Sequence, residues 1–192
     1  IMKNLSQIIA LLCLCFFGCG PANPGASLYD EAEALYEEGK YREAWEKMSL
    51  AHAALGSSNK DRVKYLRLLS NLSLELPQSD KAIEYANEIL THAGSDDDSG
   101  FAYNTMGAAY AYKGEYDRAI GSYEKSLAIK LKTLGPEHHD VGTIYNNLGT
   151  AYAHKGEYDR AIGNYEKALA IKLKTLGLEH PSVGTSYNNL GG

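Results

Sequence analysis

Over residues 101–192 the apolar positions follow helical spacing in two alternating stripes. Tyr103, Met106, Gly107 and Tyr110 fall at i, i+3, i+4 and i+7, which places them on one face of a helix. Gly114 then stands where a helix ends in a left-handed residue, with Lys113 beside the negative end of the helix dipole. A second stripe follows through Tyr116, Ala119, Ile120, Tyr123, Leu127, Leu131 and Leu134, and Gly135-Pro136 stops it. The pattern predicts two helices joined by a tight turn.

The whole unit recurs. Residues 101–142 align without gaps on residues 143–184, and 11 of the 42 positions differ. Tyr145, Leu148, Gly149 and Tyr152 repeat the first stripe; Gly156 repeats the turn, and Gly177 ends the second helix. His180-Pro181 reads as the cap and first residue of the next helix, because proline there loses no hydrogen bond. A third copy opens at Thr185-Ser186-Tyr187-Asn188-Asn189-Leu190-Gly191, and its helix is expected to fray. Gly107 and Gly149 sit mid-helix, where glycine costs about 1 kcal/mol relative to alanine. Close approach of the paired helix at Ala119 or Ala161 is the expected compensation. For Gly121 and Gly163 no compensation is foreseen.

Tyr145-x-x-Leu148-Gly149-x-x-Tyr152, then Gly156, then Ala161-x-x-x-Tyr165, is similar to the tetratricopeptide signature. Tyrosine replaces its Trp and Phe. The period is 42 and not the usual ~34. Lys130-Leu131-Lys132-Thr133-Leu134 extends the second helix by about two turns where the signature has a proline. That longer form resembles the kinesin-light-chain type of repeat. The resemblance implies an all-α fold, a right-handed solenoid of antiparallel helix pairs whose first helices line a concave groove. It also implies a non-catalytic scaffold that holds a protein or peptide. On this reading Asn104, Ala108, Tyr112, Asn146, Asn147, Thr150, His154 and Asn188 face the guest. An asparagine offers donors and acceptors together, so a ladder of them suits an extended backbone of any sequence. The competing reading has these amides satisfy groups between neighbouring helices.

Upstream the pattern is diverged. Gly39-Lys40-Tyr41-x-x-Ala44 keeps the turn, and two further amphipathic stretches, 63–76 and 79–93, flank Pro77. We expect residues 28–94 to form diverged repeat-like helices, 95–100 an acidic linker and 101–192 the regular array. Residues 1–19 read as a signal segment. Lys3 precedes an apolar run, Ile8 to Phe17, which is too short for the ~20 residues of a spanning helix. Phe17-Gly18-Cys19-Gly20 resembles a bacterial lipoprotein signal with Cys19 as the lipidated residue, although Phe16 and Phe17 depart from its usual aliphatic and small residues. The resemblance implies an exported protein anchored in a membrane and facing the periplasm or exterior. An ordinary secretory signal and an uncleaved segment are the alternatives. Residues 20–27 read as a flexible linker. All three cysteines, Cys13, Cys15 and Cys19, lie in this region, so the repeats stand on packing alone.

Net charge is −5, against a nucleic-acid surface, which needs clustered Lys and Arg. His138-His139 reads as a helix cap, since the second copy keeps only His180, and no metal or other cofactor is expected. Asp96-Asp97-Asp98 lacks the spaced ligands of a calcium loop. No phosphate loop or nucleophile–base arrangement marks a catalytic site or a small-molecule substrate. Two rival functions remain: the recognition arm of a longer enzyme, and an envelope lipoprotein that braces other proteins.

Overall fold

The computed structural model describes residues 24–55 and 61–191. The signal segment and Cys19 lie outside them. Among the described residues there are nine α-helices and no strand: α1 (Pro24–Glu37), α2 (Tyr41–Ala54), α3 (Arg62–Glu75), α4 (Ser79–His92), α5 (Asp96–Tyr112), α6 (Tyr116–Leu134), α7 (His139–His154), α8 (Tyr158–Leu176) and α9 (Pro181–Gly191). None of them is long and apolar enough to cross a membrane.

Packing divides the chain into two compact units, with the boundary after Asn59. It therefore falls inside the stretch 28–94 that the sequence suggested as one block. The first unit is the pair α1–α2, in which Ala32, Ala44, Met48 and Ala51 are fully buried. Its α1 already starts at Pro24, inside the stretch 20–27 expected to be a linker. Proline is well placed at a helix start, where its missing N–H is not required.

The second unit contains α3 to α9, with each helix packed on the next. One turn recurs within the pairs. Glu115 N donates to Tyr110 O at 2.9 Å, and Glu157 N donates to Tyr152 O at 3.0 Å. These bonds span five residues and close the helix end only if the intervening residue is left-handed. Gly114 (φ 74°) and Gly156 (φ 77°) meet that need without a Cβ clash. The diverged pair α3–α4 makes the same bond, Gln78 N to Ser73 O at 2.8 Å.

Tyr110, Ala119, Tyr123, Ile144, Leu148, Tyr152, Ala161 and Tyr165 form one continuous core across α5 to α8. Gly107 and Gly149 are explained here, with a correction. A Cβ on Gly107 would lie 2.5 Å from the Tyr123 ring, and one on Gly149 would lie 2.6 Å from the Tyr165 ring. The close approach is made by a tyrosine ring one turn beyond the alanine. Burial pushes the Tyr123 phenol well above its ordinary pKa.

The acidic stretch 95–100 is not a linker. Ser95 Oγ accepts from Asp98 N at 3.1 Å and caps α5, which begins at Asp96. Three carboxylates in a first turn complement the positive end of the helix dipole.

Candidate protein-binding groove

The first helices of successive pairs touch one another: α3 contacts α5, and α5 contacts α7. No two second helices pack to that extent among the described residues. A stack drawn tighter on one side curves toward it, so the row α3, α5, α7 and α9 forms the inner side of this unit.

Asparagines bridge that row. Asn147 Nδ2 donates to Asn104 Oδ1 at 3.4 Å, and Asn189 Nδ2 donates to Asn146 Oδ1 at 3.1 Å. Each bond spans 43 residues, one more than the period, because the facing residue on the next helix is shifted by one. The amides thus bond to one another between helices, while Asn104, Asn146 and Asn147 all stay partly exposed. A side-chain amide has two donor hydrogens and two acceptor lone pairs, so one such bond leaves capacity for a guest. Asn188 is exposed on α9.

The other expected groove residues differ in their commitments. Thr150 is engaged internally: its hydroxyl donates to Asn146 O at 3.1 Å and accepts from the Tyr165 phenol at 3.2 Å. Ala108 is half-buried. Tyr112 is exposed, and His154 stacks on Tyr116 with ring centroids 5.0 Å apart and planes 4° from parallel.

Beside Asn104 opens a cavity of about 270 Å³, also lined by Arg67, Phe101, Lys130, Asp140 and Thr143. The Arg67 guanidinium lies over the Phe101 ring, 4.3 Å from its centroid. It donates to Asp97 at 2.9 Å and to Asp98 at 3.0 Å. Lys130, only 6% exposed, donates to Asp97 at 2.6 Å and to Asp140 at 2.9 Å. Burial opposes the Lys130 charge, but the bonds to Asp97 and Asp140 outweigh it and hold its pKa above the ordinary value. The Lys130 and Arg67 bonds pull the Asp97 carboxyl down. The sequence reading missed this network because it took Asp96–Asp98 for solvated loop. The available signal was the alignment of Asp98 with Asp140, a first-turn residue in the next copy.

His138 caps α7, with Nδ1 accepting from Asp140 N at 3.1 Å; His180 caps α9 through Ser182 N at 3.2 Å. The second copy has no counterpart to the ion network. Lys172, also 6% exposed, reaches only Ser182 O at 3.4 Å and Ser186 Oγ at 3.1 Å. Desolvation lowers its pKa.

Antiparallel helix pairs stacked with an inner row of first helices define a helical-repeat solenoid. The tetratricopeptide-repeat family matches residues 98–174 and 140–192, and the protein is a tetratricopeptide-repeat protein. Among solved structures, BtubC (BKLC) from P. vanneervenii is similar, with 25% identity and a TM-score of 0.72 over 87% of this chain and 71% of that one. A putative kinesin light chain from Podosopora anserina, described as having nearly identical repeats, shows 25% identity and a TM-score of 0.70 over 89% and 86%. The apo form of RapI shares the fold, with 17% identity and a TM-score of 0.75 over 86% and 61%. No curated protein matches.

Proposed function

We propose that the protein is a non-catalytic interaction scaffold whose inner row of first helices holds an extended peptide segment of a partner. The observation that carries this reading is the partial exposure of Asn104, Asn146 and Asn147 along the inner row, although the bonds Asn147–Asn104 and Asn189–Asn146 also meet the competing expectation of amides satisfied between helices. They fix the side-chain amides at regular intervals while leaving donor and acceptor capacity. An extended backbone presents donors and acceptors along its length that such amides can bond. The similarity to kinesin-light-chain-type repeats supports the same reading.

Selection from a random-peptide library tests it. Selected peptides should photo-cross-link to α5 and α7, and Asn104→Ala with Asn146→Ala should weaken them together while helix content is unchanged. Cross-links confined to α6 and α8, with the double variant binding normally, would refute the groove. Export and anchoring through Cys19 complete the proposal; mass spectrometry of the protein from a bacterial host should find an acylated Cys19 as its first residue. An unacylated product would remove the anchor and leave the groove untouched.

A further inference from the structure

Lys130 and Lys172 hold one position of the repeat, on α6 and α8, and are equally buried. The first copy shows what that position takes. Lys130 Nζ receives one carboxylate from each flanking first helix, Asp97 on α5 at 2.6 Å and Asp140 on α7 at 2.9 Å. Those carboxylates are 47% and 41% exposed, so they meet the ammonium from the solvent side. The repeat carries their two places to His139 on α7 and Ser182 on α9. Both acids are lost together, and the lysine stays.

Lys172 Nζ donates instead to two neutral acceptors, Ser182 O at 3.4 Å and Ser186 Oγ at 3.1 Å. An ammonium has three donor hydrogens, so one is left without a protein acceptor among the described residues. Burying a cation without a counter-charge is costly, and desolvation pulls this lysine's pKa down. The surroundings have changed with it. Ser186, fully buried, stands where the first copy has Ile144. Two acids and an alkyl group have become an imidazole and two hydroxyls, all able to donate to an anion.

We propose that Lys172 binds a carboxylate of the partner peptide, which takes the place that Asp97 and Asp140 fill at Lys130. The assignment rests on the groove reading, since it names a chemical feature of the guest. The place adjoins the inner row: Asn104 and Lys130 line one cavity, and Asn146 is the counterpart of Asn104 in the second copy. A carboxylate is favoured over a neutral amide because the sister ammonium is itself held by carboxylates. An amide would leave the buried charge uncompensated, and charge-assisted bonds are the stronger kind. The chain's net charge of −5 gives no general attraction for acids, so a preference for one reports this ammonium.

The probes are Ac-Ala-Ala-Glu-Ala-Ala-NH2, its glutamine counterpart, and the glutamine peptide with a free carboxyl terminus, titrated while the Lys172 side-chain signals are followed by NMR. An acid should shift those signals saturably and bind tighter than the neutral peptide by roughly threefold to tenfold. The two acidic probes tell a side chain from a chain end; a gain in either supports the site, and a gain in neither overturns it. Lys172→Met should erase the gain, with circular dichroism showing the fold intact. Ser182→Asp, which restores the carboxylate of the first copy, should erase it as well, and Ser182→Asn should keep it. A gain that persists in Lys172→Met or in Ser182→Asp would overturn the assignment. Library-selected peptides that cross-link to the asparagine row and bind Lys172→Met as well as the native protein would remove the subsite and keep the groove.

Discussion

Lys130 and Lys172 occupy the same position in successive copies, are equally buried, and should respond in opposite directions to the same substitution. Methionine keeps the apolar stem and removes the charge, so packing changes little in either case. Lys130→Met leaves Asp97 and Asp140 without their ammonium partner. Breaking a fully buried pair costs about 3–5 kcal/mol. Here the carboxylates remain 47% and 41% exposed and can rehydrate, and Asp97 keeps Arg67. The expected loss is therefore about 1–2 kcal/mol. Lys172→Met removes a desolvated ammonium that no carboxylate compensates, and Ser186 Oγ still donates to Ser182 O at 3.1 Å. Its effect should be neutral to stabilising, by up to about 1 kcal/mol. Urea unfolding of the three proteins, with amide exchange on α9, reads both. The pH dependence adds a second check. Lys172 has a lowered folded pKa, so the unfolded chain holds its proton more tightly, and stability should rise with pH from that folded value towards the ordinary 10.5. Lys172→Met should flatten this rise. Lys130 has a raised pKa, so its contribution is complete below 10.5 and is lost as pH climbs through the higher folded value. If both methionine variants lose stability to a similar degree, the contrast drawn between the two sites is wrong.

Alanine at the mid-helix glycines gives another opposed pair. Gly149→Ala drives a methyl to 2.6 Å from the Tyr165 ring and should destabilise by about 1–3 kcal/mol, whereas Gly163, with nothing within 4 Å, should gain about 1 kcal/mol in helix propensity; melting temperatures decide. Ser95→Ala removes the α5 cap and should cost about 1 kcal/mol, read as faster amide exchange at Asp98. Acidification should weaken the α3–α5–α6 network from the carboxylate side. The Asp97 contribution is present above its ordinary 3.8 and falls away as pH drops through the lower folded value, so thermal stability should decline there less in Asp97→Asn.

Local features in the sequence made the helices, their turns and the period visible. The glycine after the first helix, the tyrosine and alanine that open the second, and the 3.6-residue stripes all act within a few residues of one another. What escaped the sequence involved partners far apart along the chain. Arg67 and Lys130 meet Asp97 from 30 and 33 residues away, and without them three adjacent aspartates look like loop. The groove asparagines were found by their period, yet their mutual bonds were not. Stacking shifts the facing residue by one, so Asn104 meets Asn147 and not Asn146. The glycine compensation was placed one turn too early. The helix crossing, which spacing alone does not fix, sets a tyrosine ring where an alanine was expected.

The differences between the two copies lend the groove a further argument. Of the 11 positions that differ, Phe101/Thr143, Ala102/Ile144, Thr105/Asn147, Met106/Leu148, Ala108/Thr150 and Tyr112/His154 lie on the first helix, while the 19-residue second helix differs only at Ser122/Asn164 and Ser126/Ala168. Packing within the interior accounts for Ala102/Ile144 and Met106/Leu148, and Phe101/Thr143, Ala108/Thr150 and Tyr112/His154 remain as differences at partly or fully exposed positions. At these more exposed positions the changes alter chemistry: a ring becomes an imidazole and an alanine a hydroxyl. A scaffold that reads its guest through the first helices needs such differences from pair to pair, since identical units would offer one repeated contact and no register. Exchanging Thr105 and Asn147 puts this to work. Thr105 is almost fully buried and Asn147 is half-exposed, so the swap removes the amide that donates to Asn104 and buries another without a known partner. Peptides selected on the native protein should lose affinity for the swapped protein by more than its loss of thermal stability explains, and equal binding would show that the amide row does not read the guest.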